Sequence, residues 1–157
     1  MNRTVLSRDE ETGELKVNKK VYIHPLVDSQ PVDSKIIDYI QEELHKIFEE
    51  VTVLKEQKIP DSAFDRSREQ FKSAKVLEVI GLAGDINLGV LEGDLYSYGF
   101  NFIFGEAELG GSKAVISTCR LRPQFYGKDE DIELLKLRAL KEAVHEIGHI
   151  MGLRLLP

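Results

Sequence analysis

Hydrophobic positions along the chain follow two periods. Ile36, Ile37, Ile40, Leu44, Ile47 and Phe48 return at helical spacing, while Glu42, Glu43, Lys46, Glu49 and Glu50 fill the opposite side. Such a stripe marks an amphipathic helix packed on a core. Asp33 or Ser34 supplies its N-cap oxygen, and the pattern ends near Glu50. His45 lies among the polar positions and is expected on the surface. A second helix is expected to begin at Phe64, with Phe71, Ala74, Leu77, Val79 and Ile80 as buried candidates and Gly81 in the C′ position. Arg66 and Arg68 fall on the polar side of its start, where solvation is the simplest expectation. A last stripe, Ile132, Leu134, Leu135, Leu137, Leu140, Val144 and Ile147, predicts a long final helix capped by Asp129 or Asp131.

Alternating or continuous apolar runs predict strands between these helices. Val21–Leu26 is a short buried strand ending near Pro25, with His24 as a structural residue. Val51–Leu54, Ile86–Leu91 with Leu95–Tyr96, Phe100–Phe104 and Lys113–Leu121 follow. A short Gly-rich turn, Gly105–Gly111, makes the last two an antiparallel pair. Residues 1–20 are polar and form a small hairpin or a loose arm around Glu11–Glu14, and residues 21–157 form one domain. This order of elements is that of an α/β fold on a mixed sheet.

Composition narrows the class. A net charge of -6, with no basic run, argues against a nucleic-acid partner. Cys119 is the single cysteine, which excludes an internal disulfide and a cysteine-built zinc knuckle; it sits in an apolar run and reads as a buried, inert thiol. No signal peptide opens the chain, and no apolar run approaches the roughly 20 residues of a membrane span. A soluble cytoplasmic protein with no membrane partner is expected. The sequence carries no signal of oligomeric state.

The chemistry lies near the end of the final helix. His145, Glu146 and His149 form the pattern H-E-x-x-H. On a helix the two histidines lie one turn apart on one face, so both imidazoles can converge on a metal ion with Glu146 beside them. Zinc so held makes a bound water acidic near neutral pH, and a neighbouring carboxylate handles its proton. The motif by itself is weak; an ordinary helix with two histidines also satisfies it. Its neighbours Ala143, Val144, Ile147, Gly148, Ile150 and Met151 are small or apolar, and Gly148 is expected to keep room between helix and sheet. Gly152 extends the pattern to H-E-x-x-H-x-x-G and lets the chain leave the helix in a left-handed turn.

Several blocks upstream strengthen it. Ala63–Phe71, Gly93–Tyr96, Asn101–Ala107, Ala114–Leu121 and Leu140–Glu146, in that order, resemble the archaemetzincins, a family of zinc metallopeptidases of the metzincin type. The likeness runs from about residue 20 to Leu153. It implies a zincin-like twisted sheet, mostly parallel with one antiparallel edge strand, a backing helix and an active-site helix. It further implies Zn²⁺ on His145 and His149, Glu146 as general base, and peptide or protein as substrate. The strand edge from Phe102 to Glu106, with Phe104 and Gly105 at its centre, becomes the substrate-binding rim; a merely structural edge strand is the alternative.

The chain departs from the family in one place. Leu155 stands where the family has a third histidine, and Leu156 where a cysteine follows. The family's methionine turn and further cysteines have no counterpart, so the catalytic domain is expected to be truncated after the active-site helix. A shifted reading frame, deliberate shortening or natural degeneration each accounts for Arg154–Pro157. Two readings follow: a zinc-dependent peptidase, or an impaired relative that binds metal or peptide weakly.

Overall fold

The computed structural model describes residues 6–153, so Leu155 and Leu156 lie outside the described residues. Ten strands alternate with three helices: β1 (Leu6–Arg8), β2 (Leu15–Val27), α1 (Ser34–Leu44), β3 (Phe48–Val53), β4 (Gln57–Lys58), β5 (Phe64–Asp65), β6 (Gln70–Lys72), α2 (Ser73–Val79), β7 (Ile86–Leu91), β8 (Leu95–Tyr96), β9 (Gly105–Ala107), β10 (Lys113–Ser117) and α3 (Ile132–Ile150). The central strands β3, β2, β7 and β10 run parallel, and β9 closes the edge antiparallel to β10. All six residues of β7 are buried, as expected of a strand covered on both faces. Beside the expected antiparallel edge there is a second antiparallel strand: β1 pairs with the start of β2 and resolves the choice between arm and hairpin for the described part of residues 1–20.

The helices α1 and α3 share one core. Ile36, Ile37, Ile40 and Leu44 of α1 meet Leu135, Ala139, Ala143 and Ile147 of α3 over Ile23, Leu88 and Ile116. A second cluster, with Val76, Leu77 and Ile80 against Leu26, Leu91, Leu95 and Val115, joins α2 to the other face. Each fully buried aliphatic chain contributes about 1.5–3 kcal/mol of transfer free energy, so the paired layers fix α3 firmly against the sheet. Leu137 and Val144, expected in this core, are instead exposed, and Ala139 and Ala143 take the contact positions. Small side chains let α3 lie close to its neighbours.

Several expected boundaries move, each for a visible reason. β2 runs through Pro25 to Val27. Leu54 N–H donates to Ile23 O and Ile59 N–H to Val27 O, so odd positions of β2 face the β3–β4 side, and Pro25 falls in the gap between those two partners where no donor is needed. The first helix stops at Leu44, not near Glu50, because Phe48 is drawn into β3 and buried. The helix expected from Phe64 begins only at Ser73: Asp65 accepts N–H groups from Ser67 and Arg68 and bends the chain into the β5–β6 hairpin, with Glu69 left-handed at φ 54°. Within α2, Ala74 is exposed and Val76 is buried in its place. Gly81 is not left-handed; α2 closes on an extended Ile80. Phe100–Phe104 is not a strand, apart from a bridge between Ile103 and Leu95, because side chains take the carbonyls of Phe100 and Asn101. β10 ends at Ser117, whose Oγ accepts the N–H of Cys119 and starts a tight turn.

Candidate metal centre

The active-site helix is defined at both ends. Asp131 accepts the N–H of Leu134 at 3.1 Å as its N-cap. At its far end Gly152 adopts φ 84°, its N–H donates to His149 O at 2.9 Å, and Leu153 N–H reaches back to Gly148 O at 2.9 Å. These paired bonds are a Schellman motif, which requires a residue tolerant of positive φ. The expected role of Gly152 is therefore met. Gly148 does not face the sheet as expected: a side chain there would meet Leu153 of this same turn.

The Schellman turn also orients a ligand. Leu153 O lies 3.1 Å from His149 Nδ1, so an N–H on Nδ1 donates to it and the Nε2 lone pair turns outward. There Nε2 of His149 comes within 3.2 Å of Nε2 of His145, with the rings edge to face at 81°. Two tetrahedral zinc ligands at about 2.0–2.1 Å stand about 3.4 Å apart; the observed spacing matches. Glu146 completes the group, its Oε1 3.8 Å from His145 Nε2. Burial, and then the proximity of His149, lowers the pKa of His145, which favours the neutral, metal-binding imidazole.

Glu146 is 3% exposed, and its Oε2 is the one buried side-chain oxygen or nitrogen without a hydrogen-bond partner among the described residues. Burial, together with Glu142 and Glu106, pushes its pKa up to about 8. A buried carboxylate left without a donor is costly in a purely structural role; a donor set of two imidazoles and this carboxylate fits a divalent metal with a proton-handling group beside it.

Gly105 explains how the strand edge reaches the helix. A Cβ there would lie 2.7 Å from Val115 O, 3.0 Å from Glu146 Cγ and 3.1 Å from Glu142 Oε1. Only glycine lets β9 come this close. Phe104, 36% exposed, stands next to it and packs edge-on to Phe102. Glu106 is held by the hydroxyls of Ser73 and Ser97. Of the two expected rim residues Gly105 lies against Glu146; Glu106 was the far end of the expected rim, while Glu142 was not singled out in the sequence. Glu142 had a signal: it precedes Glu146 by one helical turn.

A second polar cluster was also missed. Arg68, expected to be solvated, stacks 3.9 Å over Tyr96, donates to Gln70 and reaches the carbonyls of Phe100 and Asn101. Gln70 passes the chain of bonds to Asp94, which binds Arg120 through Nε and Nη2. Arg120 in turn stacks on Phe102. His24 is structural, as expected, with Nε2 3.1 Å from Asn87 Oδ1, and His45 is exposed. Cys119 is half-buried, and burial raises its pKa, in keeping with an inert thiol. No helix among the described residues is long and apolar enough to cross a membrane.

A mostly parallel sheet with antiparallel strands at its two ends carries a helix with two converging imidazoles and a buried glutamate, and the family match makes the chain a metallopeptidase. The model of peptidase family M54 matches residues 20–155, and the chain belongs to that family, the archaemetzincins. It is similar to the archaemetzincin of Methanocaldococcus jannaschii, 43% identical over 134 residues, covering 85% of this chain and 73% of that one. The Archaeoglobus fulgidus archaemetzincin is 41% identical over 136 residues, covering 86% and 78%. The crystal structure of the latter, complexed with malonate, superposes with a TM-score of 0.76 at 40% identity, over 87% of this chain and 80% of that one. The Methanopyrus kandleri archaemetzincin gives 0.73 at 30% identity, over 89% and 77%.

Proposed function

We propose that this chain hydrolyses peptide bonds with zinc held by His145 and His149 and with Glu146 as the general base. The observation that carries this reading is the convergence of two Nε2 atoms 3.2 Å apart beside a buried carboxylate with an unpartnered oxygen. When bound, zinc supplies Lewis-acid polarisation of a peptide carbonyl and acidifies the attacking water. Glu146 accepts that water's proton at a carboxylate oxygen and returns it to the leaving amine. The Leu153 carbonyl keeps the His149 ring in one orientation. Strand β9, paired only with β10 among the described residues, offers its free edge to an extended peptide, with Phe104 and Gly105 at the point nearest the base.

A second reading has its own support. The chain holds four histidines. His24 is buried against Asn87 and His45 is exposed, so neither joins the pair. With Leu155 at the position of the family's third histidine, two imidazoles would hold zinc less tightly than three, which supports a weakly metallated, impaired relative. Elemental analysis and peptide hydrolysis separate the two. The first reading expects about one zinc per chain and chelator-sensitive hydrolysis that Glu146→Ala abolishes. Little bound zinc and no turnover, both restored by Leu155→His, would establish the second.

A further inference from the structure

One helical turn before the metal centre, α3 lines a separate cleft. It has a volume of about 320 Å³ and is walled by Phe104, Arg120, Leu121, Tyr126, Arg138, Lys141 and Glu142. Glu142 lines this cleft and meets Gly105 beside Glu146, so the cleft adjoins the candidate metal centre through that residue.

Its charge distribution is unusual for a helix surface. Arg138 and Lys141 stand three residues apart, where like charges weaken a helix. Neither is paired with a carboxylate among the described residues, although Glu142 follows Arg138 at the four-residue spacing that commonly yields an ion pair. Arg120, by contrast, is already matched by Asp94. Arg138 donates from Nη1 to Leu121 O at 2.9 Å. That bond fixes the guanidinium at the cleft wall and leaves its other N–H groups available. Phe104, Leu121 and Tyr126 add apolar surface.

Resting on the peptidase reading, we infer that this cleft is a substrate subsite selecting an acidic side chain. The aliphatic stem of a glutamate packs on Phe104, Leu121 and Tyr126, and its carboxylate meets the fork of Arg138 with the ammonium of Lys141. A basic substrate side chain is repelled by the same two cations, so the cleft discriminates in both directions.

The test reads binding apart from cleavage. Fluorescein-labelled polyalanine octapeptides, each with one Glu, Gln, Lys or Phe moved through successive positions, are titrated by anisotropy into the full chain in chelator. At one position Glu is expected to bind about tenfold tighter than Gln, with Lys weakest, and raising salt from about 0.05 M to about 0.5 M should erode the preference. Arg138→Gln should abolish the preference. Lys141→Glu, an exposed position that leaves the core intact, should narrow or reverse it, with circular dichroism confirming the fold. Glu, Gln and Lys within about twofold of each other, Phe as the tightest ligand, or no binding by any peptide would each overturn the inference. An acidic preference without chelator-sensitive cleavage of the same peptides in zinc would uphold the subsite and sink the peptidase reading. Cleavage without that preference would do the opposite.

Discussion

Two polar clusters in this molecule are built on opposite terms. Around Asp94 the partners are all present: Arg120 binds it through two nitrogens, Gln70 donates a third bond, and Arg68 extends the chain to the carbonyls of Phe100 and Asn101. Around Glu146 a carboxylate oxygen is buried with nothing to receive. Satisfied networks hold loops in place, whereas an unsatisfied one leaves its capacity for something that arrives later. The Asp94 network fixes the Phe100–Asn101 segment that leads into β9, and the Glu146 cluster is the one our proposed function draws on. The difference assigns structure to one and reaction to the other.

Removing each carboxylate should therefore have opposite effects. Glu146→Ala is expected to reduce peptide hydrolysis by roughly 10²–10⁴-fold, while leaving the urea midpoint of the metal-free protein unchanged or raised, since a buried unpartnered group is lost. A clear drop in that midpoint would break the comparison. Asp94→Ala is expected to cost about 1–3 kcal/mol of stability, because Arg120 and Gln70 lose their shared acceptor, and to lower activity only through the displaced rim. Chemical denaturation with parallel peptide assays distinguishes these outcomes.

Gly105→Ala tests how the two clusters are joined. The added methyl meets Val115 O at 2.7 Å, a backbone atom that cannot swing aside, and Glu146 Cγ at 3.0 Å. A cost of about 1–3 kcal/mol is expected from overpacking, together with a fall in kcat larger than any change in KM, because the displaced group is the base. An unchanged kcat would mean that β9 shifts freely, and that the strand edge does not fix Glu146.

The parts legible in sequence were those governed by short-range spacing. The helical stripe, the Asp131 cap, the His145–His149 pair and the Gly152 stop all depend on residues within a turn or two of each other. Where long-range contacts decided, the reading failed. One local device escaped as well: the Asp65 side chain accepts N–H groups only two and three residues on and bends Phe64–Phe71 into a hairpin. Phe100–Phe104 had strand composition, yet Arg68 and Gln70, more than thirty residues earlier, claimed its carbonyls. The burial of Glu146 follows from the approach of β9 at Gly105, which spacing along α3 does not encode.

A third polar cluster, at the β1–β2 turn, sharpens the comparison by separating satisfaction from burial. Asp9 accepts the N–H groups of Glu11 and Thr12 and pairs with Lys16 at 3.3 Å, and its side chain is 26% exposed against 13% for Asp94. The Thr12 N–H, then Lys16 and the Glu11 N–H, hold its pKa down at about 2. Its folded value is below the unfolded one of about 3.9, so its contribution is present above the unfolded value and lost as pH falls through the folded one. Asp9→Asn should lower the thermal midpoint modestly at neutral pH, where the carboxylate's contribution is present, and flatten the decline in stability between about pH 4 and about pH 2. Melting curves across that window measure it. A large loss at neutral pH would show that this more open, saturated turn contributes as much as the half-buried Asp94 network, and that the difference in exposure is not what separates the clusters.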